Sequence, residues 1–151
     1  MNRSAHMDTF TRDRLPREEQ WPDFLFTLPE LRYPERLNCV AELLDRWLEK
    51  GWGHRPCLRS LTATWTYAET AAQVNRIANV LVRDLGMVPG NRVLMRSPNT
   101  PVFVAAYLAV MKAGGVVVAT MPLLRAGELA VAIERSKATL ALCDARLMDA
   151  L

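Results

Sequence analysis

The glycines fall at positions 51, 53, 86, 90, 114, 115 and 127, and no subset of them forms a dinucleotide fingerprint or a phosphate loop ending in Gly-Lys-Ser/Thr. Cradling a phosphate takes backbone N–H groups gathered at a helix start. Gly114-Gly115 follows an apolar helical stretch instead of preceding one, so the pair is expected to close a helix C-terminus rather than hold an anion. Lys112, just ahead of it, sits where a cation meets the negative end of the helix dipole. His6 and His54 have no nearby partner that would complete a nucleophilic triad, and His54 with Cys57 is a single pair, not a metal set. One candidate ligand contact remains, Arg125. It ends Met121-Pro-Leu-Leu-Arg125, directly after a Val-rich segment, and Asp144 holds the matching place after the next strand-like segment. Open α/β sheets place ligands at such carboxyl ends of parallel strands. The competing explanation for Arg125 is a solvated arginine near a helix start. No residue is assigned a catalytic or metal-ligating role.

The elements that must position these residues are legible in outline. Residues 1–37 carry Pro16, Pro22, Pro29 and Pro34 and charges at no regular period, which predicts an extended arm across a surface. Phe10, Trp21, Phe24, Phe26 and Tyr33 make it too aromatic for a disordered tail, so the arm is expected to dock as a packing strap, with a partner-binding peptide as the alternative. From residue 38 onward the chain reads as one body, 38–151. Asn38 can cap a helix that buries Val40, Leu43, Leu44, Trp47 and Leu48 and stops at Gly51. Cys57–Ser60 and Thr64–Thr66 flank a Leu-Thr-Ala turn and predict a hairpin. Thr66 and Glu69 have capping-box spacing before a helix that carries Val74, Ile77, Ala78, Leu81 and Leu85 on one face and ends at Gly86.

Beyond Pro89-Gly90 the pattern alternates. Val93–Met95 reads as a strand, and Thr100-Pro101 starts a helix over Val102–Ala113 that is apolar on every side and is therefore expected between two layers. It delivers Val116–Thr120 to the middle of a sheet. Gly127–Lys137 is the next helix, Thr139–Cys143 the third strand, and Asp144 can cap a last helix of which the sequence holds about two turns. Strands separated by helices of this length predict right-handed crossovers, hence an α/β fold with a partial parallel sheet and flanking helices.

Composition sets the outer bounds. The chain has 151 residues, of which 50% are hydrophobic and 23% charged, enough for a core that needs neither disulfides nor a structural metal. Cys39, Cys57 and Cys143 are odd in number and widely spaced, which predicts buried, chemically idle thiols in a reducing cytoplasm. The net charge of +3 is dispersed without a basic block, so no nucleic-acid partner is expected. Met1–Asp8 lack the apolar centre of a signal peptide, although Met1–Met7 fit either a natural start or an appended remnant. The apolar run Val102–Met111 is about half the roughly 20 residues a membrane span requires.

Four ordered stretches carry a family resemblance. Trp65-Thr-Tyr-Ala-Glu-Thr70 is similar to the first core motif of the adenylate-forming acid-CoA ligases, and Met111-Lys-Ala-Gly-Gly-Val-Val-Val-Ala-Thr-Met-Pro122 resembles the second. Between them, Gly86-Met-Val-Pro-Gly-Asn-Arg-Val93 looks like the family's Gly-x-x-x-Gly-Asp-Arg-Val turn, and Ser97-Pro-Asn99 like the pattern before its buried helix. The arm His6-Met-Asp-Thr-Phe-Thr-Arg-Asp-Arg-Leu-Pro16 with Trp21-Pro22, and Met121-Pro-Leu-Leu-Arg-Ala-Gly-Glu-Leu129, look most like aryl-CoA ligases that act on 2-aminobenzoate. A departure lies at Ala119-Thr120-Met121, where many relatives reach proline sooner, on the edge nearest the family's coenzyme A entrance.

The resemblance implies the N-terminal part of a ligase large domain. In the family, a carboxylate attacks the α-phosphorus of ATP with Mg²⁺ present, releasing pyrophosphate, and the thiol of coenzyme A then displaces AMP from the acyl-adenylate. The family's phosphate-binding loop, acidic residues and C-terminal lysine have no counterpart in these 151 residues. The chain alone is therefore expected to be inactive, to bind none of these cofactors tightly, and to require the remainder of the ligase as partner, with an aromatic carboxylate as the complete enzyme's substrate. An unpaired edge on the last strand is the expected mark of such a piece. Two alternatives stay open: a stand-alone α/β binding module without catalysis, and one half of a split ligase.

Overall fold

The computed structural model describes residues 4–151, so the first three residues of the Met1–Met7 stretch lie outside the described residues. The described residues fold as two small sheets with helices between and around them. A hairpin pairs β1 (Pro56–Arg59) with β2 (Thr64–Thr66) in antiparallel register. A second, parallel sheet holds β3 (Arg92–Arg96), β4 (Val116–Thr120) and β5 (Leu140–Cys143) in the order β4-β3-β5. Among the described residues, four α-helices accompany them: α1 (Arg46–Glu49), α2 (Tyr67–Asn79), α3 (Pro101–Lys112) and α4 (Ala126–Ser136).

Local chemistry starts these elements where the sequence places them. The Thr66 hydroxyl accepts from the Glu69 N–H at 3.2 Å, and the Glu69 carboxylate accepts from the Thr66 N–H at 2.8 Å, which satisfies two free donors at the start of α2. The Thr66 N–H, and the Thr66 hydroxyl that donates to the same carboxylate oxygen at 2.9 Å, favour the charged form of Glu69 and hold its carboxyl below the usual range. Thr100 accepts from Phe103 N–H at 3.1 Å with Pro101 in the first turn of α3. The Asn38 side chain accepts from Val40 N–H at 3.1 Å and donates to the Lys112 carbonyl at 2.9 Å, so one residue caps a helix and ties it to the end of α3.

Two expected apolar stripes are cut short for the same reason. Ala41–Asp45 and Val80–Asp84 are π-helical turns, which shift the residues that follow out of the 3.6-residue register. Leu44 and Leu81 are buried, whereas Leu43 is 59% and Leu85 48% exposed. The sequence expectation of one continuous buried face is corrected at those two positions.

The sheet order corrects another. Val116–Thr120 is expected in the middle of the sheet, but β3 takes the centre and pairs with β4 from Arg92↔Val116 to Arg96↔Thr120 and with β5 from Val93↔Leu140 to Arg96↔Cys143. The chain steps from β3 to β4 on one side and then passes β3 to reach β5 on the other. Right-handed crossovers running in opposite directions put α3 and α4 on opposite faces. Along fully buried β3, Val93 and Met95 join a core with Val40, Val74, Leu81 and Val110, while Leu94 alternates to the other face.

The helix expected between two layers is covered on one side. Ala105, Ala109 and Val110 of α3 are buried, with α2 packed alongside, but Val102 is 58% exposed and Tyr107 36%. No second layer covers that outer side among the described residues. Strands β4 and β5 are likewise the unpaired edges of the parallel sheet.

The arm is partly docked. It contains 3-10 turns at Arg12–Arg14, Glu18–Gln20 and Pro29–Leu31 joined by extended backbone. Phe10 packs against Arg92, but the Trp21, Phe24, Phe26 and Tyr33 rings meet one another, Phe24 on Phe26 stacked and the outer two edge to face, and Phe24, Phe26 and Tyr33 stay more than half exposed. Docking of all five aromatics onto the described body is therefore not found. The three cysteines are half-buried and unpaired rather than fully buried.

A strained residue ends α4. Lys137 has φ 52°, the left-handed region that costs a side chain about 1 kcal/mol and that glycine enters freely. Lys137→Gly is expected to raise stability by about 0.5–1 kcal/mol in urea denaturation, because only the Lys137 carbonyl is used, as an acceptor from Arg92 at 3.0 Å. A destabilised variant would contradict this.

Candidate functional site

The carboxyl ends of β3, β4 and β5 form one edge, as the parallel register requires. At its centre is Arg96, the last residue of β3, 3% exposed. A buried guanidinium needs acceptors for its donors. Nε donates to the Leu147 carbonyl at 3.3 Å, Nη1 to the Met121 carbonyl at 3.2 Å and Nη2 to the Pro122 carbonyl at 2.9 Å. Two backbone connections therefore converge on one side chain. The Asp144 N–H donates to the Arg96 carbonyl at 2.8 Å, and the Thr120 hydroxyl donates to the Met95 carbonyl at 3.0 Å, which fixes the flanking strand ends to β3.

Arg125 starts α4 immediately beyond this loop. Its N–H donates to Glu128 Oε2 at 2.9 Å, which anchors the helix start. The side chain is exposed, and its guanidinium has no hydrogen-bond partner among the described residues. It is a cation presented to solvent at the edge where ligands of open α/β sheets bind.

Asp144 is positioned as expected but is chemically engaged. Its carboxylate accepts from the Arg146 N–H at 3.0 Å and takes the Arg146 guanidinium at 2.9 and 2.8 Å. These bonds hold its carboxyl down to about 2, so it is ionised and committed to a structural turn at neutral pH. Cys143 beside it is pushed up by burial, which favours the unreactive thiol.

Two other features singled out in the sequence have structural roles. Lys112 Nζ pairs with Asp45 Oδ1 at 2.7 Å. Gly114, at φ 79°, and Gly115 end α3, and a Cβ on Gly115 would lie 2.9 Å from Val110 Cγ1. The pair is a helix terminator against packed side chains. His6 lies in the arm near Gly90, and His54 closes a 3-10 turn at Trp52–His54. No group of three or more His, Cys, Asp or Glu side chains suited to a metal comes together among the described residues. A cleft of about 840 Å³, lined by His6, Glu35, Asn38, Lys112 and Gly114, opens at the amino end of β4, opposite the Arg125 edge.

Sequence reasoning missed both strand arginines. Arg92 and Arg96 stand at the two ends of β3 with even spacing, which puts them on one face in an otherwise apolar strand. That spacing was the available signal.

Comparison with known proteins places this arrangement. The family model described as AMP-binding enzyme matches residues 44–151. The chain is 31% identical over 119 residues to 3-hydroxybenzoate--CoA/4-hydroxybenzoate--CoA ligase of Thauera aromatica, covering 79% of this chain and 23% of that protein. It is 30% identical over 122 residues to Benzoate--CoA ligase of the same organism, covering 81% and 23%. Among solved structures it resembles the anthranilate CoA ligase AuaEII in complex with anthranoyl-AMP, with TM-score 0.73 at 19% identity, covering 79% of this chain and 22% of that one, a likeness of fold. A benzoate CoA ligase from Burkholderia xenovorans LB400 matches with TM-score 0.67 at 26% identity, covering 74% and 22%. The chain spans under a quarter of the length of these relatives.

Proposed function

Because the chain belongs to the AMP-binding enzyme family, we propose that it forms the opening part of the large domain of an acid-CoA ligase, with residues 1–37 as an arm and 38–151 as the first segment of that domain. The family match over 44–151 carries this reading. The unpaired outer edges of β4 and β5 and the bare outer side of α3 support it over a self-sufficient module, since each is a surface on which further sheet and helix would pack.

The complete ligase activates an acid in two steps. A carboxylate oxygen attacks the α-phosphorus of ATP and pyrophosphate leaves; the sulfur of coenzyme A then attacks the acyl carbon and AMP leaves. Developing negative charge on phosphorus has to be met by preorganised donors and cations. The described residues hold no such cluster, so in this reading they supply scaffold and one wall of the cleft. Aromatic acids are the proposed substrates because the relatives named above are benzoate and hydroxybenzoate ligases, and 2-aminobenzoate is the finer choice on the arm and Met121–Leu129. A cytoplasmic setting goes with the three unpaired cysteines; no helix of the described residues is long and apolar enough to cross a membrane.

Arg125 is the one side chain proposed to meet a ligand, as a cation for the phosphates of coenzyme A at the carboxyl edge. The expected result with the purified 151-residue chain is no ATP–pyrophosphate exchange with 2-aminobenzoate or benzoate, and with the complete ligase, exchange followed by acyl-CoA formation. Exchange by the chain alone would refute the scaffold role, and a complete protein that forms no acyl-adenylate would refute the ligase.

A further inference from the structure

The carbonyls of Met121 and Pro122 end on Arg96, and Arg125 lies three residues further along the same loop. A loop between a strand and a helix has backbone freedom unless something holds it. Here the other hydrogen bonds are local: the Leu124 N–H donates to the Met121 carbonyl at 3.2 Å, the Arg125 N–H to Glu128, and the Glu128 and Leu129 N–H groups both donate to the Arg125 carbonyl at 3.0 Å, which holds Arg125 to α4 but leaves Met121 to Leu124 without a tie to the sheet. The Arg96 guanidinium supplies the only side-chain hydrogen bonds from the central strand to this loop among the described residues, and its third bond holds Leu147 in the turn that follows β5.

The cost of this arrangement argues for a purpose. Arg96 is 3% exposed and forms no ion pair with a carboxylate among the described residues. An apolar residue would fill the end of a buried strand at lower desolvation cost. What an apolar residue cannot do is bind carbonyls from two connections at once, in the planar geometry of a guanidinium. Asp144 is occupied by Arg146 and does not compete for it.

We infer that Arg96 is a positioning residue that sets the Met121–Arg125 loop and thereby the placement of the Arg125 cation for coenzyme A. The inference rests on the reading of Arg125 as a coenzyme A contact, and the experiment separates the two.

The first measurement uses the 151-residue chain unaltered. In ¹⁵N-resolved NMR the Arg96 Nε–H is expected to exchange with water at least tenfold more slowly than that of exposed Arg125; equal rates would overturn the staple. The second uses the complete ligase with Arg125→Ala, Arg96→Lys and the double variant, and reads the KM for coenzyme A relative to the KM for the acid. A lysine keeps the charge but cannot reach three carbonyls in a plane. Arg125→Ala is expected to raise that ratio about tenfold, the size of one charge-assisted hydrogen bond. Arg96→Lys should raise it three- to tenfold, and the double variant should match Arg125→Ala alone. A raised ratio in Arg125→Ala with none in Arg96→Lys overturns the positioning role and leaves the Arg125 contact standing. An unchanged ratio in Arg125→Ala removes the contact itself, and the positioning role with it. Effects that multiply in the double variant, or both KM values moving together in Arg96→Lys, would reduce Arg96 to a purely structural residue and overturn the inference.

Discussion

Replacing Arg92 with methionine is expected to lower stability by about 3 kcal/mol and to free the arm from the sheet. Arg92 is 6% exposed at the start of β3. Its Nε donates to the Ser136 carbonyl at 2.9 Å, Nη2 to the Lys137 carbonyl at 3.0 Å and Nη1 to the Gly90 carbonyl at 3.0 Å, and Nη1 also pairs with the Asp8 carboxylate. Methionine replaces the apolar stem but none of the donors, so up to three carbonyls lose a partner. For a chain of this size the loss corresponds to a fall in melting temperature of roughly 6–12 °C.

The arm should respond separately. Phe10 lies 4.6 Å from the Arg92 guanidinium, Met7 and Asp8 N–H groups both donate to the Pro89 carbonyl at 3.0 Å, and Asn91 donates to Asp8 at 2.9 Å. Gly90 permits this approach, since a Cβ there would lie 2.1 Å from the Asp8 carbonyl oxygen. Trypsin should cut Arg92→Met faster at Arg12, Arg14 and Arg17 than it cuts the parent chain. Acid should reproduce part of the effect. Arg92 holds the Asp8 carboxyl below its ordinary range, with help from the Phe10 N–H. The unfolded chain then binds the proton more readily, so this contribution is complete above an ordinary aspartate pKa of about 3.9 and is lost as pH falls from there through the lower folded value. That pH slope should shrink in Arg92→Met. A variant that melts like the parent with unchanged cleavage would disprove the clip.

The two buried arginines show where sequence reasoning stopped. Caps were legible because they are local: Thr66 with Glu69, Thr100 with Pro101, and Asp144 each satisfy donors within three residues. The α/β alternation was legible because period and length distinguish its helices from its strands. Strand order was not, since neither Val93–Met95 nor Val116–Thr120 carries a mark of which one pairs on both sides; that follows from the directions of two crossovers. Arg92 and Arg96 fall just outside the strand expected over Val93–Met95, and nothing local announces that the carbonyls of Ser136, Lys137, Met121, Pro122 and Leu147 will arrive to meet them. The candidate site was legible to the same extent. The rule about strand carboxyl ends leads to Arg125, but what holds its loop depends on a residue 29 positions earlier in the chain.

A pair of substitutions separates the local and tertiary signals. Leu44→Ala is expected to cost about 2–5 kcal/mol, and Leu43→Ala less than about 0.5 kcal/mol, in urea denaturation of the same chain. Helical periodicity assigns both to the buried face, at i+3 and i+4 from Val40. The structure separates them: Leu44 is 1% exposed within the core that includes Val40, Val74 and Val110, whereas Leu43 is 59% exposed. The π-helical turn over Ala41–Asp45 widens the backbone between them and α1. Truncating Leu44 leaves a cavity beside α2 and α3, which cannot close without moving either helix, and so adds a packing loss to the transfer loss. Truncating Leu43 removes surface that water already covers. Equal costs would mean that the wide turn is a regular α-helical turn and that the periodic stripe was right at Leu43. A large cost at Leu43 appearing only in the complete ligase would instead identify this side of the turn as a surface that the remaining polypeptide covers.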